Sequence, residues 1–361
     1  MAVQAQNYVF LFMRTGTGAH WLRRTLAPPQ FLHTGCTADK FLSPTGLGAS
    51  RRGFIVVGTT PKQSSNDSCI ATAYVYTWLN TVPIALRRPP NATVAFGTHV
   101  AASDDLIVVS DSMNSQLYVY NVSRAFFSAE PVPVSGGSNS GNSTRTPTFS
   151  VSSLRMVGTT IALCDRSGNA DAILIFERTS PQDPKSWSLT ANITQGCRSG
   201  PIALDQGAVA GDGAIYRRTP TGTWQFDQQL FDNDPTTFAY DTMQIRGMDG
   251  DVALVGNVSV RYAGDGAGNK NAKLVYSFDA WAYIRNHTQS GNGSLLFSNE
   301  ARVKLKPPGL LQENGYFNLL GFNGYGVSDG QIVVSASGWM GSDQAPPSWG
   351  SVYIWNQSLL R

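Results

Sequence analysis

Apolar residues along this chain come in short runs separated by polar turns. Val100-Ala101-Ala102 leads to a turn at Ser103-Asp104-Asp105. Leu106-Ile107-Val108-Val109 follows, then a polar loop, then Leu117-Tyr118-Val119-Tyr120. Runs of this length, rich in β-branched and aromatic residues and bounded by Asp, Ser and Gly, read as strands. No segment keeps a helical period through three turns. The same order recurs in Gly46 to Thr60 with Ala73 to Trp78, and in Val151 to Asp165 with Ala172 to Arg178. It recurs again in Ile202 to Arg218, in Met243 to Gly256 with Lys273 to Phe278, and in Gly324 to Ser337 with Ser351 to Asn356. That makes six copies of a strand before the turn (A), a strand after it (B) and an aromatic strand (C).

A fourth strand, D, carries a Trp in His20 to Pro29, Ser186 to Ile193 and Thr223 to Leu230. Several D segments end near paired prolines: Pro28-Pro29, Pro89-Pro90 and Pro307-Pro308. Proline lacks an amide for the ladder, so it marks an outer edge strand. Four antiparallel strands repeating roughly every 40 to 75 residues predict an all-β fold, a β-propeller of four-stranded antiparallel blades. Seven C strands stand against six complete A–B hairpins, because Asn7 to Pro29 reads as C and D alone. The count favours seven blades with the N-terminal one incomplete. Six is the alternative, with the N-terminal D strand completing the last blade and Tyr8 to Phe12 as an extra strand. Residues 1–361 are expected to form a single propeller domain, a fragment of a longer secreted chain.

Phe96-Gly97, Val100-Ala101, the Asp turn, Leu106 to Val109 and Tyr118-Val119-Tyr120 together resemble one FG-GAP repeat, the blade type of integrin α-subunit propellers. Gly58, Gly211 and Gly256 stand where that family has its second glycine. The Gly-Ala-Pro triplet is replaced by Ser110-Asp111-Ser112 and Gly58-Thr59-Thr60, and Phe-Gly is intact in a single blade. The resemblance implies the fold more than a function, since propellers host enzymes, lectins and adhesion modules alike. Blades of this type often carry a calcium loop of alternating acidic residues. Here the A–B turns read Asp104-Asp105, Asp205-Gln206-Gly207, Asp249-Gly250-Asp251 and Asp329-Gly330, without that alternation. Asp165 to Asp171 and Asp265 to Asn271 offer a few oxygens at irregular spacing. Calcium wants more ligands than that, so no cofactor is expected, with calcium kept as a possibility.

No catalytic pattern is visible. His20, His33, His99 and His287 share no metal-ligand spacing, and there is no nucleophile elbow or phosphate loop. His99, inside an A strand, reads as a core residue. The pairs Arg23-Arg24, Arg51-Arg52, Arg87-Arg88 and Arg217-Arg218 fall in separate stretches, and neighbours in a strand point to opposite faces. With a formal net charge of only +3, nucleic acid is not an expected partner. No apolar run approaches the roughly 18 residues of a membrane span.

Composition then shifts the picture toward the outside of a cell. Only 14% of the 361 residues are charged, and 42% are apolar. Hydroxyl and amide side chains make up much of the rest. Asn-x-Ser/Thr acceptors occur at Asn66, Asn91, Asn121, Asn142, Asn192, Asn257, Asn286, Asn292 and Asn356, nine in all. Chance alone would give roughly four in a chain of this make-up. The N-terminus has no long apolar segment of the signal-peptide kind, which fits an upstream truncation. The four cysteines are expected to pair in an oxidising compartment. In a propeller, D-to-A connections and B-to-C loops emerge on one face. That brings Cys36 to Cys69, and Cys164 to Cys197, the second pair crossing toward the next blade. The reading is a secreted or cell-surface glycosylated propeller, extracellular in location. It acts as an adhesion-type structural or protein-interaction module in a larger assembly, and is not expected to be an enzyme. Its partners are other extracellular proteins or further domains of the same chain, along with N-linked glycans. The alternative is a carbohydrate-active propeller, lectin or glycosidase, which would need two carboxylates about 5 to 10 Å apart in a cleft.

Overall fold

A computed structural model describes residues 2–5, 8–14, 21–26, 43–50, 52–60, 72–77, 82–122, 129–132, 149–167, 171–180, 183, 186–194, 196–198, 201–231, 241–263, 273–285, 297–305, 318–328, 331–338 and 351–356. The backbone falls into two compact units, Met1–Arg198 and Ser199–Arg361. In the first unit, β1 (Ala2–Ala5), β2 (Tyr8–Arg14) and β3 (Trp21–Leu26) form a three-stranded sheet. Three four-stranded sheets follow. They are β4 (Ser43–Ala49) to β7 (Ile84–Ala85) through β5 (Phe54–Thr60) and β6 (Ala73–Thr77); β8 (Phe96–Ser103), β9 (Leu106–Asp111), β10 (Gln116–Asn121) and β11 (Ala129–Val132); and β12 (Val151–Val157), β13 (Thr160–Asp165), β14 (Ala172–Arg178) and β15 (Trp187–Thr194).

The second unit opens with one more four-stranded sheet, β16 (Ala203–Asp205), β17 (Ala208–Gly211), β18 (Ala214–Arg218) and β19 (Trp224–Gln229). Then come β20 (Asp241–Asp249), β21 (Val252–Ala263), β22 (Lys273–Arg285), β23 (Phe297–Leu305), β24 (Asn318–Ser328), β25 (Gln331–Gly338) and β26 (Ser351–Asn356). These last strands share one seven-stranded sheet, because Phe278 of β22 pairs in parallel with Leu319 of β24.

Each four-stranded sheet is an antiparallel meander in chain order, and D lies at its edge as the prolines and tryptophans foretell. All six A–B hairpins form, at β4–β5, β8–β9, β12–β13, β16–β17, β20–β21 and β24–β25. The fold is an all-β propeller with six blades. The favoured count of seven is therefore corrected: the N-terminal C and D strands have no A–B hairpin of their own. They are joined instead by β1, a short strand with no counterpart among the repeats, which pairs Ala2–Ala5 with Tyr8–Leu11.

The period of two in the sequence divides each sheet between two cores. In β9 all six residues are buried. Leu106 and Val108 join Leu117, Val119, Leu154, Ile161, Leu163 and Phe176 on one side. Ile107 and Val109 join Phe54, Val56, Val75, Tyr118 and Tyr120 on the other. The sheet β8–β11 is thus apolar on both faces and sandwiched between β4–β7 and β12–β15. Its B and C strands accordingly read as nearly continuous apolar runs. Burying each such side chain contributes about 1.5–3 kcal/mol. The second unit repeats the device: Ala253 and Val255 of β21 face Ala210, Ile215 and Tyr283, while Val252 and Leu254 face Ala282, Ile332 and Val334.

The inner A strands are not regular. The register against B shifts between Pro44 and Gly46, Phe96 and Val100, Val151 and Ser153, Ile245 and Gly247, and Leu320 and Tyr325. Such bulges add twist where a strand must bend. The Phe-Gly of the third sheet is one of them. Phe96 is fully buried, edge-on to Tyr118 with ring centroids 5.8 Å apart. Gly97 sits at φ +97, and a Cβ there would lie 2.5 Å from the carbonyl carbon of Thr72. Only glycine meets both demands.

Gly97→Ala is expected to cost more than Gly158→Ala in urea unfolding. Gly158 is at φ +55 with nothing within 4 Å of its Cβ position, so it suffers the backbone penalty alone, about 1–3 kcal/mol. Gly97→Ala adds the clash with the Thr72 backbone. Equal losses would mean that the close approach between β8 and the segment before β6 carries no stability.

Candidate interaction surface

The ends of the blades are where polar side chains gather, and the two ends are tied differently. At the A–B turns the ties run from sheet to sheet. Ser50 Oγ donates to the Asp104 carbonyl at 2.5 Å, and Arg52 pairs with Asp105 at 2.7 Å. Gly158 N donates to Ser103 Oγ at 2.7 Å, and in the second unit Gly250 N donates to Asp205 Oδ2 at 2.7 Å. The Asp104 carbonyl and the Asp105 and Asp205 carboxylates of these turns are thus engaged by a hydroxyl, a guanidinium and an N–H group. Asp249 and Asp251 lie in the β20–β21 turn, while Asp329, Gly330 and Asp265 to Asn271 lie outside the described residues. Among the described residues no group of three or more His, Cys, Asp or Glu side chains could hold a metal ion.

At the opposite end one tie runs from sheet to sheet, Phe149 N donating to Ser115 Oγ at 2.8 Å, and others run within a sheet, from the last residue of strand B to the loop entering strand A. Asp111 closes β9 and is fully buried. Its Oδ2 accepts from Thr93 N at 2.7 Å, and its Oδ1 accepts from the Thr93 hydroxyl. Asp165 repeats the arrangement at the end of β13, accepting from Ser150 N and Ser167 N, both at 2.8 Å. In β5 the tie goes elsewhere: Thr59 Oγ1 donates to the carbonyl of Thr72, just before strand C, at 2.8 Å. Ser110 and Asp111 have separate structural roles here. Ser110 Oγ accepts from the His99 amide at 3.1 Å, satisfying the bulge, and Asp111 anchors the loop.

The loop from Arg87 to Phe96 is held along its whole length. The Tyr120 hydroxyl donates to the Arg87 carbonyl at 2.7 Å, and Arg88 Nη2 to the Ala92 carbonyl at 2.6 Å. Ala92 N closes a turn on the Pro89 carbonyl at 3.1 Å, and Phe96 N reaches the Thr93 carbonyl at 3.1 Å. Asn114 Nδ2, in the B–C turn, donates to the Asn91 carbonyl at 2.7 Å. This pinned loop and the adjoining turn present two large apolar side chains to solvent, Val94 at 54% and Met113 at 68% exposure. Exposed apolar side chains on a rigid loop are the kind of feature a protein partner uses. In the second unit Phe226, on the edge strand β19, is 60% exposed and leans edge-on against Tyr216.

The acceptor asparagines fall unevenly. Asn91 is exposed in the pinned loop, Asn192 is exposed on the edge strand β15, and Asn356 is exposed at the end of β26. Asn121 is half-buried at the end of β10, and Asn257 lies within β21. Asn66, Asn142, Asn286 and Asn292 lie outside the described residues, as do Cys36, Cys69, His20, His33 and His287. Cys164 and Cys197 form a disulfide with Cα atoms 5.8 Å apart. It joins the end of β13 to the residues just after β15 of the same sheet, within the first unit, rather than crossing toward the next blade.

Of the arginine pairs, Arg217 meets Asp227 at 2.5 Å across β18 and β19, Arg88 braces the loop and Arg52 braces a turn. His99 is half-buried on β8, and its Nδ1 has no hydrogen-bond partner among the described residues. Burial lowers its pKa, and the positive charge of Arg155 lowers it further. The sequence reads it as a core residue; the structure leaves it half-buried at the β8 bulge. The anchors Asp111 and Asp165 were missed by motif reasoning. Their shared place at the end of strand B was the available signal.

No family model matches the chain, and no curated protein matches it. Among solved structures it is similar to a member of the DUF4221 family from Bacteroides vulgatus, at 9% identity and a TM-score of 0.45, over 89% of this chain and 96% of that one. It is also similar to the β-propeller domain of the Trilobed protease from Pyrococcus furiosus, at 11% identity and a TM-score of 0.44, over 88% and 82%. A protein from Lactobacillus plantarum gives 13% identity and a TM-score of 0.39, over 81% and 95%. At these identities the likeness concerns fold alone.

Replacing Cys164 and Cys197 together by Ala removes a cross-link spanning 33 residues. The chain-entropy argument puts the loss at about 3–4 kcal/mol, to be read from denaturant midpoints. A second expectation concerns acid. The folded-state pKa of His99 lies below its unfolded value of 6.5. Its contribution is therefore fully present above that value and is lost as pH falls through it toward the folded pKa. His99→Gln should flatten the fall of Tm as pH drops below 6.5. An unchanged slope would remove His99 from the acid response.

Proposed function

We propose that this chain is a secreted or cell-surface glycosylated β-propeller, an adhesion-type module whose blade ends contact other extracellular proteins. The observation that carries the reading is the exposure of Asn91, Asn192 and Asn356, each the first residue of an intact acceptor tripeptide. A glycan at any of them would project without disturbing the apolar faces between sheets. The Cys164–Cys197 bridge supports the same compartment, since such cross-links persist where the medium is oxidising. The resemblance of the Phe96-Gly97 sheet to FG-GAP blades, with its buried Phe and left-handed Gly, is in keeping with an adhesion-type role. The contact surface we assign is the pinned loop with Val94 and the adjoining turn with Met113. Its partner is an extracellular protein or a further domain of the same chain.

Glycopeptide mass spectrometry on material from the native source tests the reading. Glycans are expected at Asn91, Asn192 and Asn356, with Asn257 unmodified because it lies inside the β21 ladder between two strands. Unmodified peptides at every acceptor, with the cysteines recovered as thiols, would return the protein to a reducing compartment.

A further inference from the structure

The three exposed acceptors differ in how the fold treats the residue two positions on, whose hydroxyl the glycosylating enzyme must engage. At Asn192 that residue is Thr194, exposed at the end of the edge strand β15. At Asn91 it is Thr93, and the fold has claimed both of its polar groups. Its amide donates to Asp111 Oδ2 at 2.7 Å and its hydroxyl to Asp111 Oδ1, and Asp111 is fully buried. The Thr93 Oγ1 also accepts from Ala95 N at 3.2 Å. Around it, Ala92 N is held by the Pro89 carbonyl at 3.1 Å, and the Asn91 carbonyl is held by Asn114 at 2.7 Å. The tripeptide therefore cannot be lifted into an enzyme cleft without breaking a charge-assisted pair inside the protein.

We infer that Asn91 is an acceptor only before its blade closes, and that its occupancy is set by a race between modification and the docking of Thr93 onto Asp111. This rests on the secretory reading above. The step is the attack of the Asn91 side-chain amide nitrogen on the anomeric carbon of a lipid-pyrophosphate-linked oligosaccharide. A C–N glycosidic bond forms, the bond from that carbon to the pyrophosphate oxygen breaks, and lipid pyrophosphate leaves. The amide proton passes to a base of the transferring enzyme. Asp111 lies 18 residues after Thr93, so the acceptor leaves the ribosome before its lock exists. The window closes when β9 pairs with β8. The Asn91 side chain itself stays exposed after closure, so a glycan added in time is compatible with the folded loop. Its position beside Val94, and beside the turn carrying Met113, places that sugar over the exposed apolar pair. One early event thus sets whether this surface is open or covered.

The test is site occupancy by quantitative glycopeptide mass spectrometry, on full-length chain expressed through a eukaryotic secretory pathway. It compares wild type, Asp111→Ala and Asp165→Ala. The Asp165→Ala variant cuts the matching anchor in the next sheet, on Ser150 N at 2.8 Å, without touching Thr93. Asp111→Ala is expected to raise the occupied-to-unoccupied ratio at Asn91 about tenfold or more, the scale of losing a hydrogen bond to a charged acceptor. Asn192 should be unchanged in all three proteins, and Asp165→Ala should leave Asn91 at the wild-type ratio. No rise in Asp111→Ala, or an equal rise in Asp165→Ala from slowed folding in general, overturns the inference. An unmodified Asn192 in wild type is the separate result that would sink the secretory reading, and the inference with it.

Discussion

The structure depends on sheets that are apolar on both faces. A half-buried antiparallel sheet alternates apolar and polar residues, and one packing partner satisfies it. β9 does otherwise: Leu106 and Val108 feed one core, Ile107 and Val109 another, and every residue of the strand is buried. Such a sheet cannot stand alone, because either bare face would be a large exposed apolar patch. It has to be flanked, and its flanking sheets have to be built the same way. Repetition of one strand–turn–strand phrase is the sequence's way of meeting that demand, and a row of blades is the outcome.

Away from the edge strands, that arrangement gathers the polar ties at the blade ends. At one end the A–B turns of adjacent sheets are stitched together, through Ser50 and Asp104, Ser103 and Gly158, and Asp205 and Gly250. At the other, a buried carboxylate at the end of strand B pulls the incoming loop onto its own blade. A buried charge is tolerable only with partners, and Asp111 has an amide, a hydroxyl and the more distant Asn114 amide at 3.4 Å. The result is a loop as fixed as the sheet beneath it, yet carrying an exposed asparagine, an exposed valine and a neighbouring exposed methionine. Rigidity with exposure is what a recognition surface needs, because little ordering cost then remains to be met on binding.

The blade phrase was legible because its physics is local. Runs such as Leu106 to Val109 and Leu117 to Tyr120 announce strands by composition, and Asp-Gly or Asp-Asp turns announce the hairpins between them. The edge character of D was legible too, from Trp187 and Trp224 at strand starts and from the paired prolines. The A-strand bulges were less so, since a register slip is a property of two backbones together; glycines beside the slips, such as Gly46, Gly97, Gly247 and Gly324, are its trace. The blade count went astray because β2 and β3, which look like C and D strands, read as an incomplete blade, whereas they form a three-stranded sheet with β1. The Thr93–Asp111 tie joins residues 18 apart, with no period to betray it. Of the nine acceptors, Asn66, Asn142, Asn286 and Asn292 fall outside the described residues. Asn91 and Asn192 owe their prominence to geometry.

Native-state hydrogen exchange tests most directly the claim that two-faced blades and carboxylate anchors make loop and sheet one cooperative body. The amides of Leu106 to Asp111 should exchange only through global unfolding, and the Thr93 and Phe96 amides should share that limit because they are bonded inside the anchored loop. The edge-strand amides of β15 and β19 should exchange faster. Thr93 exchanging at the rate of a free loop, or β9 exchanging ahead of the edge strands, would contradict the account.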